Sequence, residues 1–90
     1  MKKTIWKYPI TTNDCIGLDL PVGAEILDIQ IQNDMPCIWA LVDPEAIKVN
    51  RTFYIYGTGH VIEYSCSKEY IGTYQLFGGE LVFHVFELKE

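Results

Sequence analysis

Ninety residues, 49% of them apolar and 13% aromatic, exclude a disordered chain and lead to the expectation of one domain, residues 1–90, with a modest core. Seven Lys and Arg against twelve Asp and Glu leave a formal charge of −5, which argues against a DNA or RNA polymer as partner, since binding one takes a basic patch. No apolar run approaches the roughly 20 residues of a membrane helix, and the basic start MKKTIWKYPI lacks the apolar stretch of a secretory signal.

Three scattered cysteines, Cys15, Cys37 and Cys66, with no Cys-x-x-Cys, read as reduced thiols. The expectation is therefore a cytoplasmic protein without membrane attachment. A core this small, in a chain this aromatic, leaves apolar surface to cover, so a homo-oligomer, dimer or tetramer, is expected.

In chain order, KKTIWKY (2–8) is an aromatic, β-branched strand stopped by Pro9. IGLDL (16–20) is a short extended piece closed by the Pro-Gly turn PVGAE. EILDIQIQ (25–32) alternates, predicting Leu27, Ile29 and Ile31 on one face and Asp28, Gln30 and Gln32 on the other. After the turn signal NDMP, CIWALVD (37–43) is apolar on both faces, as a central strand or an interface strand is. PEAIKVN (44–50) reads as a loop with room for one helical turn.

RTFYIYG (51–57) sets Phe53 and Ile55 against Tyr54 and Tyr56. VIEYSCSK (61–68) is ambiguous, extended and then loop. EYIGTYQLF (69–77) and LVFHVFEL (81–88), joined by Gly78-Gly79-Glu80, give the strongest hairpin signal in the chain. About seven strands with short turns predict an all-β fold, a small antiparallel sandwich or barrel.

Gly57-Thr58-Gly59-His60 is the most distinctive polar turn. Two glycines can turn consecutive N–H groups into one concavity for an anion, with Thr58 and His60 adding donors. The plainer reading is a strand connection with a polar rim, since neither the Lys-Ser/Thr of a P-loop nor a helix follows. Arg51, at the far end of the strand, could clamp a phosphate, but about 20 Å of extended chain separate it from the turn, so the two meet only across a subunit interface or on a long ligand.

Trp6, Tyr8, Tyr54 and Tyr56 are candidate faces for stacking a base, whereas Trp39, Phe53, Phe83 and Phe86 read as core. Lys7 points away from the rings of Trp6 and Tyr8 on a regular strand and joins them only where subunits pair. The candidate ligand-binding set is Trp6, Lys7, Tyr8, Arg51, Tyr54, Tyr56, Thr58, Gly59 and His60. No histidine, cysteine or carboxylate stands at a zinc spacing, and Ser65 and Ser67 lack a nucleophile-elbow pattern. His84, in an apolar strand, reads as a core or interface histidine with one hydrogen bond. The expectation is a protein that is not an enzyme and needs no metal or cofactor.

The blocks IWKY, GAEILDIQIQN, PCIWALVDP, RTFYIYGTGH and YIGTYQLFGGELVFHVFE, spanning Trp6 to Glu87, resemble small phage and prophage proteins of unknown function. They look similar, more narrowly, to the phage anti-CBASS sponge proteins. The segments least like that family are 43–51 and EYSCSKE (63–69). The resemblance implies a small multimeric protein of the infected bacterial cell that sequesters a cyclic nucleotide immune signal between subunits without cleaving it. The alternative is a protein-binding inhibitor or accessory module of phage origin with no small-molecule ligand. A bound, intact nucleotide distinguishes the first from the second.

Overall fold

A strand with an apolar residue at every second position can bury one face and wet the other. In a computed structural model, which describes residues 2–63 and 67–89, this pattern becomes seven strands among the described residues. They are β1 (Thr4–Pro9), β2 (Cys15–Pro21), β3 (Glu25–Gln32), β4 (Met35–Val42), β5 (Lys48–Gly57), β6 (Lys68–Leu76) and β7 (Leu81–Leu88). Every pairing is antiparallel, and the strands form two sheets ordered β1-β4-β3 and β2-β5-β7-β6. The all-β expectation holds, as a two-sheet sandwich. Tyr64, Ser65 and Cys66, part of the ambiguous 61–68 segment, lie outside the described residues.

The core lies between the sheets. Ile29, Ile38, Ala40 and Val42 from one sheet meet Leu20, Phe53, Ile55, Tyr74 and Val85 from the other in a single buried cluster. Phe53 is fully enclosed, and truncating such a ring to alanine typically costs about 3–5 kcal/mol. The doubly apolar stretch is explained by β4 being the central strand of its sheet. Ile38, Ala40 and Val42 face the core, while Trp39 and Leu41 lie half-buried on the outer face between the neighbouring strands.

Two local departures from regular alternation shape the sandwich. The β3–β4 register shifts between Ile26 and Asp28, so Leu27 is an extra residue, 45% exposed. Ile26, Ile29 and Ile31 pack on the core instead of the expected Leu27, Ile29 and Ile31. The β6–β7 register shifts likewise between Tyr70 and Gly72. A bulge inserts one residue and re-aims the side chains on either side of it. Here it turns Gly72 toward Ile29, where a β-carbon would stand 2.5 Å from Ile29 Cγ2. Glycine at 72 is what lets β6 come up against β3.

The turns follow from their residues. Asn33 and Asp34 both take positive φ (51° and 64°) between the paired Gln32 and Met35, the requirement of a two-residue hairpin turn with left-handed residues. Strand β4 therefore begins two residues earlier than Cys37. Residues 44–50 hold no helix: Ala46 N–H closes a turn on Asp43 O, and the chain enters β5 at Lys48. The Gly-Gly hairpin is present, with Phe77, Gly78 and Gly79 all at positive φ.

Candidate functional site: an aromatic sheet face

Residues directly opposite each other in an antiparallel pair share a face. The four-stranded sheet aligns Cys15, Tyr54, Phe86 and Tyr70 in one row across β2, β5, β7 and β6, and Tyr56, His84 and Thr73 in the next. Phe53, Ile55 and Val85 alternate with them and fill the core, so these two rows form the outer face. Tyr54 and Tyr56 stand 6.4 Å apart between ring centroids and 13° from parallel. Phe86 packs edge-on against Tyr56 at 5.8 Å and against Tyr70 at 5.4 Å. The Lys68 ammonium lies 5.0 Å from the centre of the Tyr54 ring.

At the β2 edge of this face, Asp14, Cys15, Tyr54, Tyr56 and His60 line a cavity of about 290 Å³. That volume is at the lower end for a small-molecule pocket, enough for one ring system and not for a dinucleotide. A larger ligand would extend along the row toward Phe86 and Tyr70.

A run of polar side chains crosses the same face. Tyr70 OH and Thr73 Oγ1 are 2.5 Å apart, Thr73 Oγ1 and His84 Nδ1 2.9 Å, and His84 Nε2 and Thr58 Oγ1 2.6 Å. Tyr70 and Thr73 are three residues apart and share a face because of the bulge at Ile71. His84 is thus on the outer face with both ring nitrogens bonded, a correction to the core reading with one bond. Phe86 is likewise shelf rather than core.

The nine residues expected from sequence divide among four places. Tyr54, Tyr56, Thr58, Gly59 and His60 belong to the outer face of the four-stranded sheet or the turn at its end. Trp6 and Tyr8 oppose Ala40 and Ile38 and pack on the core, so they offer no ring to a ligand on the shelf. Burial raises the Tyr8 phenol above its ordinary pKa, and among the described residues its OH has no hydrogen-bond partner. Lys7 lies on the outer face of the other sheet, opposite Trp39, and bonds Gln32 Oε1 at 2.6 Å.

Arg51 points into the sandwich. Its Nε and Nη2 donate to the two oxygens of Glu87 at 2.5 and 2.9 Å, and its Nη1 donates to Ala24 O at 2.6 Å. Burial alone would push the Glu87 carboxyl up, but the hydrogen bond and charge of Arg51, with Lys89 at 3.3 Å, hold it below its ordinary value. The bond to Glu87 in turn raises Arg51, against its own desolvation. A polar cavity of about 400 Å³ opens here, but Arg51, Glu69, Glu87 and Lys89 are already paired across it. Arg51 is a structural cation rather than a phosphate clamp.

Gly57-Thr58-Gly59-His60 closes as a β-turn, with His60 N–H on Gly57 O at 3.1 Å and Gly59 at φ 89°. Thr58 N–H is used on Val82 O at 3.1 Å. With those two donors committed, the expected anion concavity does not form, and the strand-connection reading is the right one. Among the described residues, no group of three or more His, Cys, Asp and Glu is placed to hold a metal ion. Among the same residues, no helix is long and apolar enough to cross a membrane.

Fold and face together define a small seven-stranded β-sandwich that carries an aromatic shelf on one sheet. Along its whole length, residues 1–90, the chain matches a family described as a domain of unknown function, DUF7352, and it belongs to that family. No curated protein and no solved structure matches it.

Proposed function

We propose that this protein binds and sequesters a cyclic nucleotide signal without cleaving it, as a phage-encoded anti-defence protein, with bases stacked on the outer face of the four-stranded sheet. The observation that carries the reading is the Tyr54–Tyr56 pair. Two rings 6.4 Å apart and 13° from parallel lie side by side on one sheet face, a platform against which a flat base can stack. Base–aromatic stacking contributes about 1–3 kcal/mol per base. The cavity with His60 receives one ring system, and Lys68, beside Tyr54, supplies positive charge near a phosphate.

Tyr70, at the β6 side of the shelf, is 55% exposed. A second copy facing the shelf would cover the exposed half of the ligand, and a two-fold interface suits a ligand made of two like halves. Sequestration requires slow release and no chemistry.

A thermal-shift screen against cyclic di- and trinucleotides and ADP-ribose derivatives tests the proposal. The expected result is stabilisation by a cyclic nucleotide, recovered intact by chromatography after heat denaturation. Consumption of the ligand would make the protein an enzyme, and absence of any shift across the panel would overturn nucleotide binding.

A second reading, a module that docks on another protein, is favoured by Phe77. This ring is 73% exposed at the β6–β7 tip and held at φ 54°, a costly conformation for an aromatic residue. It borders a groove of about 410 Å³ shared with Ile31 and Leu76. Co-purification of one host protein, lost in Phe77→Ser, would support this reading instead.

A further inference from the structure

The hydrogen-bonded run across the shelf can be ordered in either direction, and the direction determines what the shelf offers a ligand. A hydroxyl carries one proton, and a neutral imidazole has one N–H and one acceptor nitrogen. Val82 O can only accept, and Thr58 Oγ1 lies 3.5 Å from it as well as 2.6 Å from His84 Nε2. When Thr58 donates to Val82 O, its oxygen must accept from His84, so Nε2 carries the proton. Nδ1 is then the acceptor and takes the proton of Thr73 at 2.9 Å. Thr73 Oγ1 in turn accepts from Tyr70 OH. In this orientation every proton of the run ends on a protein acceptor.

We infer that the Thr58–His84–Thr73 run holds the Tyr70 hydroxyl proton inward and presents its oxygen to the ligand as an acceptor, so the shelf selects bases that carry an exocyclic amino group. The inference rests on the nucleotide reading above and deepens it. Tyr70 is 55% exposed, and Phe86 separates it from Tyr54 in the same row, so a base lying over Phe86 has its edge toward Tyr70. An amino group there, as on adenine or guanine, donates to the Tyr70 oxygen. Hypoxanthine puts a carbonyl where adenine has its amino group and a C–H where guanine has its own, so it offers no such donor and is disfavoured. His84, half-buried in the adjoining row of the same face, acts as a positioning residue through Thr73 and Tyr70. The bulge at Ile71 makes the run possible, since a regular strand would put Tyr70 and Thr73 on opposite faces.

Two measurements test this on the intact protein. Nitrogen-15 NMR of the His84 ring at neutral pH is expected to find the Nε2–H tautomer, and finding Nδ1–H would overturn the inference. Calorimetric titration with cyclic di-AMP, cyclic di-GMP and the corresponding cyclic di-IMP is expected to give about tenfold weaker binding of the inosine ligand than of the better amino-bearing one. In Thr58→Val the Nε2 proton loses its protein acceptor, so the tautomer should switch to Nδ1–H and the run reverse, turning a Tyr70 proton outward. The preference should then shift toward cyclic di-IMP, which a purely structural role for Thr58 would not produce. Tight binding with equal affinity for amino and inosine ligands overturns the inference while leaving nucleotide binding in place. Failure of all three to bind overturns both.

Discussion

Arg51 and Glu87 clasp β5 to β7 through two parallel hydrogen bonds on the inner side of the sheet, with Glu87 only 3% exposed and Arg51 17%. The third contact of the guanidinium, to Ala24 O, ties in the turn between β2 and β3. Removing the cation leaves a buried carboxylate with Lys89 as its remaining neighbour. Arg51→Ala should therefore destabilise the fold by about 3–5 kcal/mol, read as a lowered urea midpoint. Any loss of ligand binding in this variant should track unfolding.

The same pair sets a pH dependence. The folded carboxyl of Glu87 is held below its ordinary value of 4.5, so the folded state binds fewer protons than the unfolded one as acid is added. Its contribution is fully present above the unfolded value and is lost as pH falls through the folded one. Denaturant titrations from neutral pH downward should show stability declining below about pH 4.5. Glu87→Gln, less stable at neutral pH, should show a shallower decline.

Tyr8 carries a buried hydroxyl that, among the described residues, has no partner, and this costs folding free energy. Tyr8→Phe keeps the ring against Ile38 and removes the oxygen. The variant should be as stable as the parent or more stable by about 1 kcal/mol in thermal or urea unfolding, with nucleotide affinity unchanged. A tenfold affinity loss would return Tyr8 to the site.

At Gly72 the close approach of β6 to β3 leaves no room for a methyl group against Ile29. Gly72→Ala should cost about 1–3 kcal/mol by overpacking. Adding Ile29→Ala opens the space, so the double variant should be less destabilised than the sum of the single ones.

The period-two alternation of Phe53 and Ile55 against Tyr54 and Tyr56 was legible from residue types alone, because burial and exposure in a strand follow side-chain chemistry. The two apolar faces of β4 marked it as a central or an interface strand, and the sheet order makes it central. The bulges were not legible. One extra residue in EYIGTYQLF or EILDIQIQ leaves no mark in composition, yet it moves Leu27 out of the core and brings Tyr70 beside Thr73. The fate of Arg51 was equally hidden, since its partner is 36 residues away and the pairing depends on β5 lying next to β7. Trp6 and Tyr8 misled because interleaved polar residues mark one wet face without saying which side the rings take.

Aromatic proton–carbon NMR during titration with a cyclic dinucleotide tests the stacking face most directly. Saturable ring-current shifts confined to Tyr54, Tyr56, Phe86 and Tyr70, with Trp6 and Tyr8 unmoved, are the predicted result. Shifts centred on the Arg51–Glu87 end of the sandwich, or no shifts with any cyclic nucleotide that the screen covers, would contradict it.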